Sequence, residues 1–141
     1  MTNYRGNFLY GFIACGPYEL LPEWVFDKVF CPAVETDPNT GEAKVAQVGL
    51  RRVESALLQG YKRDEIFVAN PDYLAKSIGP DTKVVGINVM DPLGMAPVTT
   101  TMSPEKLSYV AMKFKRMCAN IIQLKKKYDF KVVVGGNGAW E

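Results

Sequence analysis

Two short apolar runs, Lys83 to Val89 (KVVGINV) and Lys131 to Val134 (KVVV), constrain this chain more than any other feature. An unbroken Val/Ile run suits a strand buried on both faces of a parallel sheet, whereas a strand with one wet face alternates. Between the runs, Leu107, Val110, Ala111, Phe114, Cys118, Ile121 and Ile122 recur at helical spacing and form the apolar stripe of the longest helix. Lys113, Lys115, Arg116 and Lys125 to Lys127 suit the solvated faces of that helix. The lysines at its end also favour the negative end of the helix dipole. Ser103 and Pro104 read as its N-cap and first-turn proline.

The rest of the chain extends the same pattern. Phe8 to Ala14 (FLYGFIA) reads as a buried strand ending at the turn Cys15-Gly16-Pro17. Leu20, Leu21, Trp24, Val25 and Phe30 predict a short helix, and the turn-rich stretch from Pro32 to Gly49 a surface loop. Leu50, Val53, Leu57 and Leu58 line one face of a helix closed by Gly60. Glu65 to Asn70 is a strand candidate, and Pro71-Asp72 opens a short helix carrying Leu74 and Ile78. Met90 to Met102 reads as a long loop rich in Gly, Pro and Thr. Strands alternating with helices predict an α/β fold with a doubly wound parallel sheet, in a single domain over residues 1–141. The KVVV run and its glycine-rich turn have no helix after them. This predicts an incomplete sheet and the N-terminal fragment of a larger protein, since a bare apolar edge invites aggregation.

Composition narrows the chemistry. Hydrophobic residues make up 48% and charged residues 23%, as in ordinary folded proteins. Seventeen basic side chains against 15 acidic ones leave a charge of +2, too small a basic excess to predict nucleic acid or an anionic membrane as partner. No apolar stretch approaches the roughly 20 residues that span a bilayer, and the first residues lack a signal-peptide pattern, so a cytoplasmic location is expected. There is no histidine, which removes the commonest general base and every Ser-His or Cys-His nucleophile pair. Cys15, Cys31 and Cys118 are widely spaced and odd in number, and read as small thiols at least partly buried, not as a disulfide framework or metal knuckle.

Ligands of open parallel sheets bind beyond the carboxyl ends of the strands. Those ends carry Cys15, Gly16 and Pro17; Asn70, Pro71 and Asp72; Met90, Asp91, Pro92, Leu93, Gly94 and Met95; and Gly135, Gly136, Asn137, Gly138, Ala139 and Trp140. Met90, Leu93 and Met95, with Thr99 to Thr101 beyond them, offer an apolar platform beside hydroxyl donors, which suits a large flat ligand. The same three residues also read as caps of the core, and Asp91 as a turn former ahead of Pro92. The glycines of GGNGAW let backbone approach a ligand closely. As a dinucleotide signal, Gly136-x-Gly138 is incomplete, because Trp140 stands in the stretch where a third glycine belongs.

Three stretches carry a family resemblance: GLRRVESALLQGY (Gly49 to Tyr61), VANPDYLAKSIGPDTKVVGINVMDPLGMAPVT (Val68 to Thr99) and KVVVGGNGAWE (Lys131 to Glu141). Together they resemble the N-terminal domain of cobalamin-dependent radical SAM proteins, particularly the large archaeal group, over about two thirds of the chain. The resemblance implies a Rossmann-like corrinoid-binding module, followed in the parent protein by a barrel that holds a 4Fe–4S iron–sulfur cluster and S-adenosylmethionine. It places the corrin against Cys15-Gly16-Pro17, Met90 to Met95 and Gly135 to Trp140, with the nucleotide tail at the last turn. Two departures bear on it. Without histidine, cobalamin would bind with no protein imidazole on cobalt, as is usual in that group. The Cys-x-x-x-Cys-x-x-Cys triad is absent, so these residues hold no radical-generating site. The expectation is a cobalamin-binding module of a radical SAM enzyme, a methyltransferase, with no catalysis of its own. The alternatives are a non-enzymatic α/β module that binds a nucleotide or metabolite, and a truncated, non-functional gene product.

Overall fold

The computed structural model describes residues 8–141, with Phe8 described in its backbone only. It is a mixed α/β structure whose sheet, among the described residues, consists of two parallel strands. The chain divides into two compact units: one of residues 34–88 and 120–136, the other of the described residues up to Ala33 with 89–119 and 137–141.

The first unit contains β1 (Val84–Asn88) and β2 (Lys131–Gly135), paired in the register Val84↔Lys131 to Asn88↔Gly135. Both arise from the two apolar runs. The expected burial on both faces does not occur: Val84 is 57% exposed, and Val132, Val133 and Val134 are exposed as well. With two strands described there is little sheet for helices to cover, so Val84 and Val132 to Val134 remain in water while Val85 is half-buried. The core of this unit lies elsewhere, in Val34, Ala43, Val68, Leu74, Ile78, Ile121 and Phe130.

The helix α3 (Val48–Leu57) forms where predicted, but it turns a carboxylate inward. Glu54 is buried and accepts hydrogen bonds from Arg51 at 2.6 Å and Arg63 at 2.7 Å, while Val53 and Leu57 of the apolar row are exposed. Burial pushes the Glu54 carboxyl up, and the two guanidinium groups more than offset it, holding the group below the usual carboxylate range. The Glu65–Asn70 segment is not a ladder strand. A single antiparallel bridge, Glu42↔Ala69, joins it to the turn at Gly41, because the Asn70 N–H bonds the Gly41 carbonyl at 2.9 Å and the Ala43 N–H bonds that of Val68 at 2.8 Å. Asn70 is fully buried; its side chain donates to Thr36 and caps the turn Pro71–Tyr73, which leads into α4 (Leu74–Ser77). Gly41 has φ +78°, and a Cβ there would strike the Ser77 hydroxyl, so only glycine fits.

In the second unit the FLYGFIA run is a helix, α1 (Phe8–Ala14), and not a strand. Tyr10, Ile13 and Ala14 lie at i, i+3 and i+4, so one face turns inward while Leu9 and Phe12 stay exposed. Seven apolar residues are compatible with either state, and packing decides: Ala14 joins Phe26, Cys31 and Tyr109 in the core, and Tyr10 sits edge-on to Phe30. The short α2 (Glu23–Val25) widens into a π-turn over Phe26–Phe30, where the Cys31 N–H reaches back five residues to the Phe26 carbonyl at 2.7 Å. Phe26 and Tyr109 stack with centroids 4.6 Å apart.

The loop expected from Met90 to Met102 ends in a helix, α5 (Pro97–Met102), with proline in its first turn. The long helix α6 (Tyr109–Lys127) starts later than Ser103. Ser103 instead ends α5 and donates its hydroxyl to the Cys15 carbonyl at 2.7 Å. Ser108 is the residue that caps α6, accepting the Ala111 N–H at 3.3 Å.

Candidate functional site

The second unit brings together most of the residues expected to form a site. The Met90–Met95 loop follows β1, and the Asn137–Trp140 turn follows β2. Gly138 is buried between them: its N–H donates to the Val89 carbonyl at 3.2 Å, and a Cβ on it would lie 2.5 Å from the Met90 carbonyl oxygen and 2.6 Å from Pro92. Close backbone approach at this glycine is therefore used by the neighbouring loop. The expected space for a ligand tail beside Gly138 is filled by Met90 and Pro92. One turn on, the Glu141 carboxylate accepts the Leu93 N–H at 3.2 Å and ties the two segments a second time.

The Met90–Met95 loop is shaped by its own polar groups. Asp91 accepts the Ala96 N–H at 3.0 Å and the Thr99 hydroxyl, the behaviour of a turn-forming carboxylate. Gly94 has φ +78°, and its Cβ position is bounded by Ser108 Oγ and Thr99 Cγ2, both at 3.2 Å. Ser108 also bridges to Pro17, so the third predicted segment lies against the same serine. There the Gly16 carbonyl accepts the Tyr109 N–H at 3.0 Å and the Tyr18 N–H donates to Leu107 at 3.0 Å. Cys15, Gly16 and Pro17 are thus held through their backbone. Gly135 and Gly136 belong to the first unit; Gly135 has nothing within 4 Å of its Cβ position, and Gly136 takes φ +103°.

With the loops so fixed, their large apolar side chains point outward. Met90 is 69% exposed, Leu93 47%, Met95 56% and Trp140 78%. They are not core caps; the residue of this loop that is buried is Pro92. Asn137 and Ala139 are exposed beside Trp140 in sequence. Neighbouring apolar groups exposed on two interlocked loops form a surface that gains from being covered. Ser108 and Glu141, which help lock this arrangement, escape a reading of the sequence because their partners are backbone groups, and Thr99, expected as a free hydroxyl donor, spends its hydroxyl on Asp91. An N-cap serine was the one usable signal, and it was read at Ser103, five residues before the serine that caps the helix.

Two concave regions lie in the first unit. One, of about 340 Å³, is lined by Lys83, Val84, Asp129, Phe130 and Lys131 at the amino ends of the strands, the end that open parallel sheets do not use for ligands. The other, of about 270 Å³, runs along Pro71, Asp72, Leu74, Ala75, Asn120, Gln123 and Leu124 and includes two of the strand-end residues singled out in the sequence, Pro71 and Asp72. Among the described residues no group of His, Cys, Asp and Glu is arranged to hold a metal ion, and no helix is long and apolar enough to cross a membrane. The three thiols are free. Burial pushes Cys31 up to about 11, leaving it a poor nucleophile, and raises Cys118 as well.

No protein-family model, curated protein or solved structure matches the chain.

Proposed function

We propose that the second unit presents the corrinoid-facing surface of a cobalamin-binding domain, part of a radical SAM enzyme that acts as a methyltransferase. One observation carries this reading. The loops after two adjacent parallel strands interlock through Gly138 and Glu141 and leave Met90, Leu93, Met95 and Trp140 exposed. A corrin ring is wide, flat and apolar over its faces, with amides at its rim. It would cover these four side chains and leave its amides to Asn137 and to loop backbone. The supporting fold is read as a doubly wound sheet of which β1 and β2 are neighbours, with ligands at the carboxyl ends of the strands.

The residues present suit such a ligand with cobalt free of any protein imidazole, since the chain has no histidine. When bound, the corrinoid supplies the methyl group and the metal chemistry. The chain's own part is to seat the ring, exclude water from one face and hold its loops still through Asp91, Gly94 and Glu141. Gly138 takes no share in holding the nucleotide tail, because protein fills its open side. The iron–sulfur cluster and S-adenosylmethionine are assigned to a barrel domain of the parent protein.

The test is co-elution of hydroxocobalamin with the protein in gel filtration. The chain is expected to retain the coloured corrinoid, and Leu93→Glu to weaken retention roughly tenfold or more by placing a charge under the ring. Loss of the corrinoid from the unmodified chain, together with retention of a nucleotide such as ADP, overturns this reading in favour of a non-enzymatic nucleotide-binding module.

A further inference from the structure

We propose that the outer edge of β2 is a self-association surface, on which β2 of a second copy pairs antiparallel about a two-fold axis through Val133. The argument is independent of any ligand and starts from the ladder. The Lys131 N–H donates to the Lys83 carbonyl at 2.9 Å, so in β2 the backbone groups of Lys131, Val133 and Gly135 turn toward β1. Those of Val132 and Val134 turn outward. An antiparallel partner centred on Val133 sets Val132 against Val134 of the second copy and Val134 against its Val132. Both pairs are hydrogen-bonded positions, so the outward N–H and C=O groups of each strand meet their complements. Val133 then faces its own copy across the axis as a non-hydrogen-bonded pair, where side chains approach most closely.

Charge selects the same arrangement. Lys131 opens β2 and Gly135 closes it, and Lys83 and Lys125 lie near the amino end with Asp129 as the acidic residue among them: the Lys131 N–H bonds the Lys83 carbonyl, and Lys125 bonds the Phe130 carbonyl at 2.6 Å. Antiparallel pairing sets each Lys131 opposite a glycine, with the two basic clusters about a strand length apart, beyond the Debye length of about 8–10 Å. Parallel pairing would set the clusters side by side. Val132, Val133 and Val134, exposed at 36%, 57% and 49%, would gain cross-strand valine neighbours on both faces. The outer edge of β1 is poorer: its outward positions are Val84, Gly86 and Asn88, two of them residues that disfavour strands. Association therefore closes at two copies in a four-stranded sheet ordered β1-β2-β2-β1.

Sedimentation velocity over a dilution series tests this, with circular dichroism to verify folding. The unmodified chain is expected to move between monomer and dimer with concentration. Val133→Lys, which opposes two like charges at the axis, should weaken the dimer roughly tenfold or more, while Val84→Lys on β1 leaves it unchanged. Val133→Cys should cross-link to itself under a mild oxidant, and Val84→Cys should not, because a pair on the axis has the Cα separation that a disulfide requires. A chain that stays monomeric at every concentration, a Val133→Cys chain that does not cross-link, or open-ended assembly beyond two copies overturns the proposal.

Discussion

At Gly138, a single missing side chain holds two loops together. Its Cβ position is occupied by the Met90 backbone and Pro92, both tied down, so no flexible neighbour can yield. Gly138→Ala is expected to lower stability by about 1–3 kcal/mol, as overpacking does, and to loosen the Leu93–Glu141 contact. Urea unfolding of the variant measures the first, and faster exchange of the Leu93 amide the second. Glu54 is the other residue with large consequences, because it is a buried carboxylate whose charge is balanced by Arg51 and Arg63. Its folded-state value is lowered, so its contribution is complete above the ordinary carboxyl range near 4.3 and is lost as pH falls through the lower folded value. Glu54→Gln should cost about 1–3 kcal/mol at neutral pH. The gap between variant and unmodified chain should narrow progressively in acid, as read from urea midpoints below about pH 4. Neither role is legible in the sequence. A glycine in GGNGAW signals close approach without naming what approaches, and Glu54 reads as the polar side of an amphipathic helix.

Among the elements, those with long periodic patterns or unmistakable punctuation were legible. β1, β2, α3 and α4 form where the apolar runs, the α3 apolar row and the Pro71-Asp72 start place them, and α6 forms along its stripe with a later start. Two other short stretches were not. FLYGFIA is as compatible with a strand as with a helix until Phe26, Phe30 and Cys31 give it a surface to pack on. Glu65–Asn70 has strand composition but meets a turn in place of a strand, and closes one bridge. The start of α6 was misplaced because Ser103 has N-cap chemistry but spends its hydroxyl on a tertiary bond to the Cys15 carbonyl, and Ser108 caps the helix in its place. The two-stranded ladder makes its own prediction. In dilute, monomeric protein the Val133 amide, which faces β1, should exchange several-fold more slowly than the outward Val132 and Val134 amides. Equal exchange along β2 would mean that the parallel ladder is not formed in solution.

For the molecule as a whole, the three segments expected at a ligand site separate into two roles. Cys15, Gly16 and Pro17 are held through their backbone against Ser103 and Leu107 to Tyr109, and act as support. Met90, Leu93, Met95 and Trp140 form the exposed surface that a ligand would cover. The sequence indicated these loops as a group; which residues support and which contact became visible through burial. The central claim is that a corrinoid lies on Trp140, and the chain provides its own reporter, because its two tryptophans are Trp24 and Trp140. Trp24 is 62% exposed, so Trp24→Phe leaves Trp140 as the sole emitter without disturbing the core. The first measurement is therefore titration of the Trp24→Phe protein with hydroxocobalamin, following tryptophan fluorescence. The account predicts quenching that saturates at one corrinoid per chain and is reproduced by cobinamide, which keeps the ring and lacks the tail. Quenching that grows without saturation, as free encounters in solution would give, contradicts it.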